Sequence, residues 1–139
     1  MIAVKISDEM AMALVGSPDY VAKHGFVKSL PELALHELIG YQMKDGTVYA
    51  WQFDDDGTPY QHAPNARLLV SDSYAEAAAA KVGLGLSYVP LDLVADDIKH
   101  GRLIRMLIAQ SQTLPALYLY YPHRNISPAL RAVVEELRV

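Results

Sequence analysis

Short apolar runs alternate along the chain with segments whose apolar residues recur every three or four positions, and Gly, Pro, Ser and Asp cluster in the breaks between them. That alternation predicts strands and helices in succession, an α/β arrangement. The clearest stretch is Arg67 to Pro90, RLLVSDSYAEAAAAKVGLGLSYVP, which reads as a complete strand–helix–strand unit. Leu68, Leu69 and Val70 form a run suited to a strand buried on both faces of a parallel sheet. Ser73 followed by Glu76 has capping-box spacing, and Ala75 with Ala77 to Ala80 favours helix. Gly83 or Gly85 ends that helix, and Leu86 to Val89 forms the second strand before Pro90. A parallel crossover is the expected result.

The same reading covers the rest of the chain. Ile2 to Ile6 and Ala11 to Val15 are predicted strands around the polar turn Ser7-Asp8-Glu9. Ser17 is the expected N-cap of a short helix, with Pro18 at its first position and Gly25 at its end. Ser29 opens a second short helix that turns Leu33 inward and ends at His36. Glu37 to Met43 reads as a strand, followed by a turn at Asp45-Gly46. Val48 to Phe53 and Thr58 to His62 read as antiparallel strands. Leu91, Val94, Ala95 and Ile98 define a helix that Gly101 stops, Arg102 to Leu107 returns as a strand, and Ser111 to Thr113 is a loop. Leu114 to Tyr121 is the last strand, ended by Pro122. Ser127 and Pro128 start a final helix with the stripe Leu130, Val133, Val134 and Leu137.

Composition narrows the picture. At 139 residues the chain can bury one ordinary core or two small lobes. A net charge of −4, spread along the chain, argues against a nucleic-acid footprint on this polypeptide. The absence of cysteine excludes disulfides and thiolate metal sites and fits a cytoplasmic location. No apolar stretch approaches the roughly 20 residues that span a bilayer, and the opening residues carry no signal-peptide pattern, so no membrane association is expected.

Candidate chemistry centres on the first turn of the strand–helix–strand unit. Open α/β sheets hold small ligands at the carboxyl ends of their strands, where helix N–H groups converge. Ser71, Asp72, Ser73 and Tyr74 occupy that corner, although capping alone accounts for Ser and Asp there. Asp72 would repel a carboxylate, so either it is engaged in capping or the ligand offers it a donor. Tyr41 lies at a neighbouring strand end, and Tyr41 and Tyr74 stand out among the aromatic residues as candidate cleft walls. No catalytic set is recognisable, and the five histidines lack metal-ligand spacing. Asp54-Asp55-Asp56-Gly57 lacks the rest of a calcium loop and reads as a solvated turn. Gly83-x-Gly85 follows a helix, the reverse of the dinucleotide arrangement. No enzyme activity, metal or cofactor is expected.

A series of stretches follows in order along the chain: Leu14 to Gly25 (LVGSPDYVAKHG), Leu30-Pro31-Glu32-Leu33 with His36, Trp51 with Phe53, Leu69-Val70-Ser71-Asp72, Gly83 to Pro90 (GLGLSYVP), Gly101-Arg102-Leu103 and Tyr121 to Arg131 (YPHRNISPALR). Together they resemble the C-terminal part of the effector-binding domain of LysR-type transcriptional regulators. The resemblance implies a periplasmic-binding-protein-like α/β fold, two lobes joined by crossing strands with a small organic effector held between them. On this chain the second lobe would be complete, residues 17–116. Residues 1–16 and 117–139 would supply the crossing strands and an incomplete first lobe. The effector contacts carried over are Ser71, Asp72, Ser73 and Tyr74, with Val89 and Tyr41 at neighbouring strand ends. The winged helix-turn-helix has no counterpart in this sequence, so DNA would be bound only through the N-terminal domain of a full-length regulator. Apolar first-lobe faces would be left uncovered, which implies homo-oligomerisation. The alternative reading is a stand-alone dimerisation or ligand-binding module that modulates full-length regulators.

Overall fold

A computed structural model describes residues 2–121 and 127–137. The chain divides into two units, Ala11–Gln112 and a second made of Met1–Met10 with Thr113–Val139.

The larger unit is built on β2 (Met10–Gly16), whose Ala13, Leu14 and Val15 are fully buried. It is flanked by β7 (Ser87–Pro90) and β8 (Ile104–Met106), both antiparallel to it. β3 (Ile39–Tyr41) runs parallel to β6 (Leu68–Val70), with Ile39 opposite Leu68 and Tyr41 opposite Val70. A parallel bridge between Leu38 and Leu86 ties the start of β3 to the start of β7. The Ile39 N–H donates to the Leu86 carbonyl and the Leu86 N–H to the Glu37 carbonyl, each at 2.9 Å.

Helix α2 (Ser73–Lys81) therefore carries the chain from β6, past β3, to β7. The expected crossover is present, with one strand lying between its two ends. Burial of β6 on both faces is not: Leu68 and Leu69 are 36% and 40% exposed. Three apolar residues fit an outer strand as well as a central one, and only the pairing partner decides which. Gly85 makes the bridge possible, because a Cβ there would lie 2.7 Å from the Glu37 carbonyl oxygen. Gly83, at φ +87°, is the residue that turns the chain after α2.

Helix α1 (Pro18–His24) begins as its sequence demands. Ser17 Oγ accepts the Tyr20 N–H at 3.0 Å, Pro18 opens the first turn, and Gly25 leaves at φ +91°. The second short helix is a 3-10 segment (Leu30–Leu35), with Leu33 fully buried and His36 at its end. β4 (Trp51–Asp55) and β5 (Thr58–His62) form a hairpin whose tip places Asp56 at φ 51° and Gly57 at φ 89°, the two left-handed residues of a tight turn. The stretch before β4 is shorter in strand character than expected, with Val48 bridging Gln42 by itself.

Trp51, Phe53 and Tyr88 form an aromatic cluster, with the Phe53 and Tyr88 rings stacked at 4.5 Å. The Tyr88 hydroxyl donates to the Gln52 carbonyl and accepts the Gln112 N–H, both at 2.8 Å. α3 (Leu91–Lys99) follows β7 directly and buries Val94 in the core that Ala13, Val15, Ile39, Ala80 and Val89 share.

The smaller unit consists of β1 (Ile2–Lys5), β9 (Thr113–Leu114), β10 (Tyr118–Tyr121) and α4 (Pro128–Leu137). β1 and β10 pair antiparallel from Ile2 opposite Tyr121 to Lys5 opposite Tyr118. Val4 and Val134 are buried between sheet and helix, with Ile2, Ile6, Leu119 and Leu130 around them. The expected continuous strand over Leu114 to Tyr121 is broken, since Pro115 has no N–H to donate to a ladder. Of the predicted stripe on α4, Leu130 and Val134 find partners in this unit, while Val133 and Leu137 remain 48% and 43% exposed. The strand stop at Pro122 and the histidine at His123 lie outside the described residues.

Candidate functional site

The corner singled out in the sequence lies at the carboxyl ends of the parallel strands β3 and β6, where α2 begins. Asp72, extended at φ −150° and ψ 156°, is the N-cap: its Oδ1 accepts the Ala75 N–H at 2.8 Å. The expected cap at Ser73 is thus one residue too late. Ser73 is the first helical residue and half-buried. With helical geometry starting at Ser73, the third N–H of the helix falls within reach of the Asp72 carboxylate.

This one-residue offset changes the role of Glu76. It does not reach back in a capping box; it shares a helix face with Ala79 and Ala80 and is buried with them. Its Oε2 has no hydrogen-bond partner. Burial, reinforced by the nearby Asp72 charge, pushes its carboxyl up to about 8, so it is protonated at neutral pH. Glu76 is the unusual residue of this corner that sequence reasoning missed. Its position among alanines on the inward face is the signal, visible once the cap is set at Asp72. The Glu76 backbone carbonyl is held by the Ser87 hydroxyl at 2.7 Å, which fixes α2 to β7.

Ser71 and Asp72 are exposed, and the Tyr74 ring is 74% exposed. Tyr41 sits opposite Val70 in the β3–β6 register and lines a depression of about 420 Å³ with Met43, Lys44 and Asp45. The Gln42 N–H donates to the Val70 carbonyl at 2.7 Å, continuing the pairing to the edge of the corner. Ser71, Asp72, Ser73 and Tyr74 are brought together with Tyr41 nearby. Val89 is separate from them in kind: it is fully buried opposite Ala13 and packs in the core, so its side chain supports the strand. The dipole at the start of α2 favours an anionic or acceptor group at this corner. The Asp72 carboxylate, bonded to the Ala75 N–H, is already one such acceptor group.

Among the described residues, no group of three or more His, Asp or Glu side chains could hold a metal ion, and no helix is long and apolar enough to cross a membrane.

Strands of mixed direction with helices after them, and a polar corner at the parallel strand ends, define a mixed α/β domain. Comparison with known proteins makes the assignment specific. Residues 3–139 match the family described as LysR substrate binding domain, and the chain belongs to that family. It is 36% identical over 140 residues to a putative transcriptional regulator of Pseudomonas aeruginosa, covering 99% of this chain and 46% of that protein. It is 37% identical over 126 residues to the HTH-type transcriptional regulator PgrR of Escherichia coli, covering 90% of this chain and 42% of that protein. The chain thus spans less than half the length of these relatives. Among solved structures it is similar to the regulatory domain of CrgA from Neisseria meningitidis, at a TM-score of 0.74 and 29% identity over 98% of this chain and 67% of that one. The fold is also similar to that of part of the full-length virulence activator AphB of Vibrio cholerae, at a TM-score of 0.78 and 24% identity, covering 99% of this chain and 46% of that one.

Proposed function

We propose that this chain is the effector-sensing part of a LysR-type transcriptional regulator, and that Ser71, Asp72, Ser73, Tyr74 and Tyr41 supply polar and aromatic contacts to a small organic effector. The observation that carries this reading is the start of α2 at the carboxyl ends of the parallel β3–β6 pair, with Ser71 and Tyr74 open to solvent. Residues 17–116 would form the second lobe of a periplasmic-binding-protein-like domain, most of them within the unit Ala11–Gln112, and residues 1–16 and 117–139 the crossing strands and part of the first lobe. In a full-length regulator, effector binding would shift the balance between two assemblies and so the geometry of a separate DNA-binding domain. The relatives are bacterial proteins named as transcriptional regulators, which supports a non-enzymatic, cytoplasmic role.

The test is a thermal-shift screen of small organic acids, alcohols and amides, followed by calorimetry on Ser71→Ala and Ser73→Ala. A hit whose affinity falls at least tenfold in either variant supports the reading. A hit unaffected by both sinks the assignment of this corner.

A second reading has its own observation. Tyr118, Tyr120, Val133 and Leu137 leave apolar surface on the small unit uncovered, which suits a module that acts by forming homo-oligomers or mixed oligomers. Co-purification separates the cases: recovery with a full-length regulator in the absence of ligand binding favours the module, and ligand binding without any such recovery rejects it.

A further inference from the structure

The amino ends of β3 and β6, opposite the corner described above, carry a second arrangement of charged groups. Glu37 precedes β3 and Arg67 precedes β6, and their side chains approach only to 4.0 Å between Oε1 and Nη1. At that length both ions keep most of their hydrogen-bonding capacity. Two depressions meet at this pair. One, about 490 Å³, is lined by His36, His62, Asn65 and Ala34 as well as Glu37 and Arg67. The other, about 440 Å³, adds Leu38, Leu68 and Leu84. Leu68 and Leu84 are both exposed there.

His36 also lines the first depression. The Tyr20 hydroxyl accepts the Glu37 N–H at 3.0 Å and lies 2.8 Å from His36 Nδ1. One of the two side chains donates to the other across this contact, which holds the imidazole at the rim. Burial, with a smaller contribution from His24, lowers the affinity of His36 for a second proton, and burial keeps the Tyr20 phenol protonated. The site therefore offers a guanidinium, an uncharged imidazole, a carboxylate and a leucine-lined wall.

We propose that this end of the sheet binds a zwitterionic α-amino acid with an apolar side chain. Its carboxylate pairs with Arg67 beside the His36 ring, its ammonium pairs with Glu37, and its hydrocarbon lies against Leu68 and Leu84. An anion alone would meet Glu37 unneutralised, and a cation alone would meet Arg67; only a ligand with both charges matches the pair.

L-Leucine is the probe, with 4-methylpentanoate (no amine) and isopentylamine (no carboxylate) as controls, followed by two-dimensional NMR of the intact chain. Saturable shifts at His36, Glu37 and Arg67 with leucine alone, weakened at least tenfold by both Arg67→Gln and Glu37→Gln and unchanged by Ser71→Ala, are expected. Both substituted side chains are exposed, so the fold should tolerate the changes. Equal shifts with either control, insensitivity to Glu37→Gln, shifts confined to Ser71 to Tyr74, or no shifts up to millimolar leucine would each overturn the proposal.

Discussion

The two units of the chain differ in how their helices are used. In Ala11–Gln112, α2 and α3 pack on strands whose Ala13, Leu14, Val15, Ile39 and Val89 have essentially no exposure, and the same unit holds the stacked Phe53 and Tyr88. In the smaller unit one helix lies on a two-stranded sheet, and among the described residues only Val4 and Val134 are buried. A two-stranded sheet with one helix is marginal in water, whereas several strands sharing a core fold independently. The lesson is that apolar content does not equal core: α4 is as amphipathic as α3, yet half of its stripe stays exposed.

The largest test of that contrast is Leu14→Ala, at a fully buried position. It should lower the unfolding free energy by about 3–4 kcal/mol in urea titration. Equal sensitivity to Val134→Ala, expected to cost only about 1–2 kcal/mol because fewer groups surround it, would erase the distinction between the units.

Glu76 marks a place where the larger core carries an evident cost. Its folded-state pKa lies above the unfolded value, so between the two the native state holds a proton that the unfolded state has released. Its contribution is therefore fully present below about pH 4.5, where the carboxyl is protonated in both states, and is lost as pH rises from there through about 8. Melting curves at pH 5 and pH 9 should differ by roughly 2–4 kcal/mol from this group. Glu76→Gln should remove that dependence and raise stability at pH 9. A variant with the wild-type pH profile would refute the burial argument.

Smaller effects locate the helix start. Asp72→Ala should cost about 1 kcal/mol and Ser73→Ala a few tenths, because the former holds the Ala75 N–H. The reverse ranking would restore the cap to Ser73. Smallest in stability is Val133→Lys, expected within about 0.5 kcal/mol. It should nevertheless reduce any self-association seen by light scattering, because this face of α4 is open.

Local signals were legible where one residue type answers one backbone need. Ser17-Pro18 and Gly25 bound α1, Asp56-Gly57 makes the hairpin tip, and Pro128 opens α4. The candidate corner was legible for the same reason, since Ser71-Asp72-Ser73 interrupts an apolar run before an alanine-rich one. Its cap was misplaced by one residue, because Asp72 and Ser73 have equal claims in sequence. Pro115 should have divided the last strand, but the run of Leu and Tyr around it masked the missing donor.

What the sequence determined by itself is the series of elements and the residues that start and stop them, because caps, turns and periodicities act within a few positions. Tertiary structure decided the rest. It placed β3 between β6 and β7, left Leu68 and Leu69 half-open, turned Glu76 inward, buried Val89, and set Glu37 beside Arg67. Each of these depends on groups distant in the chain, and a run of residues cannot specify which partner will reach it or how much water that partner excludes.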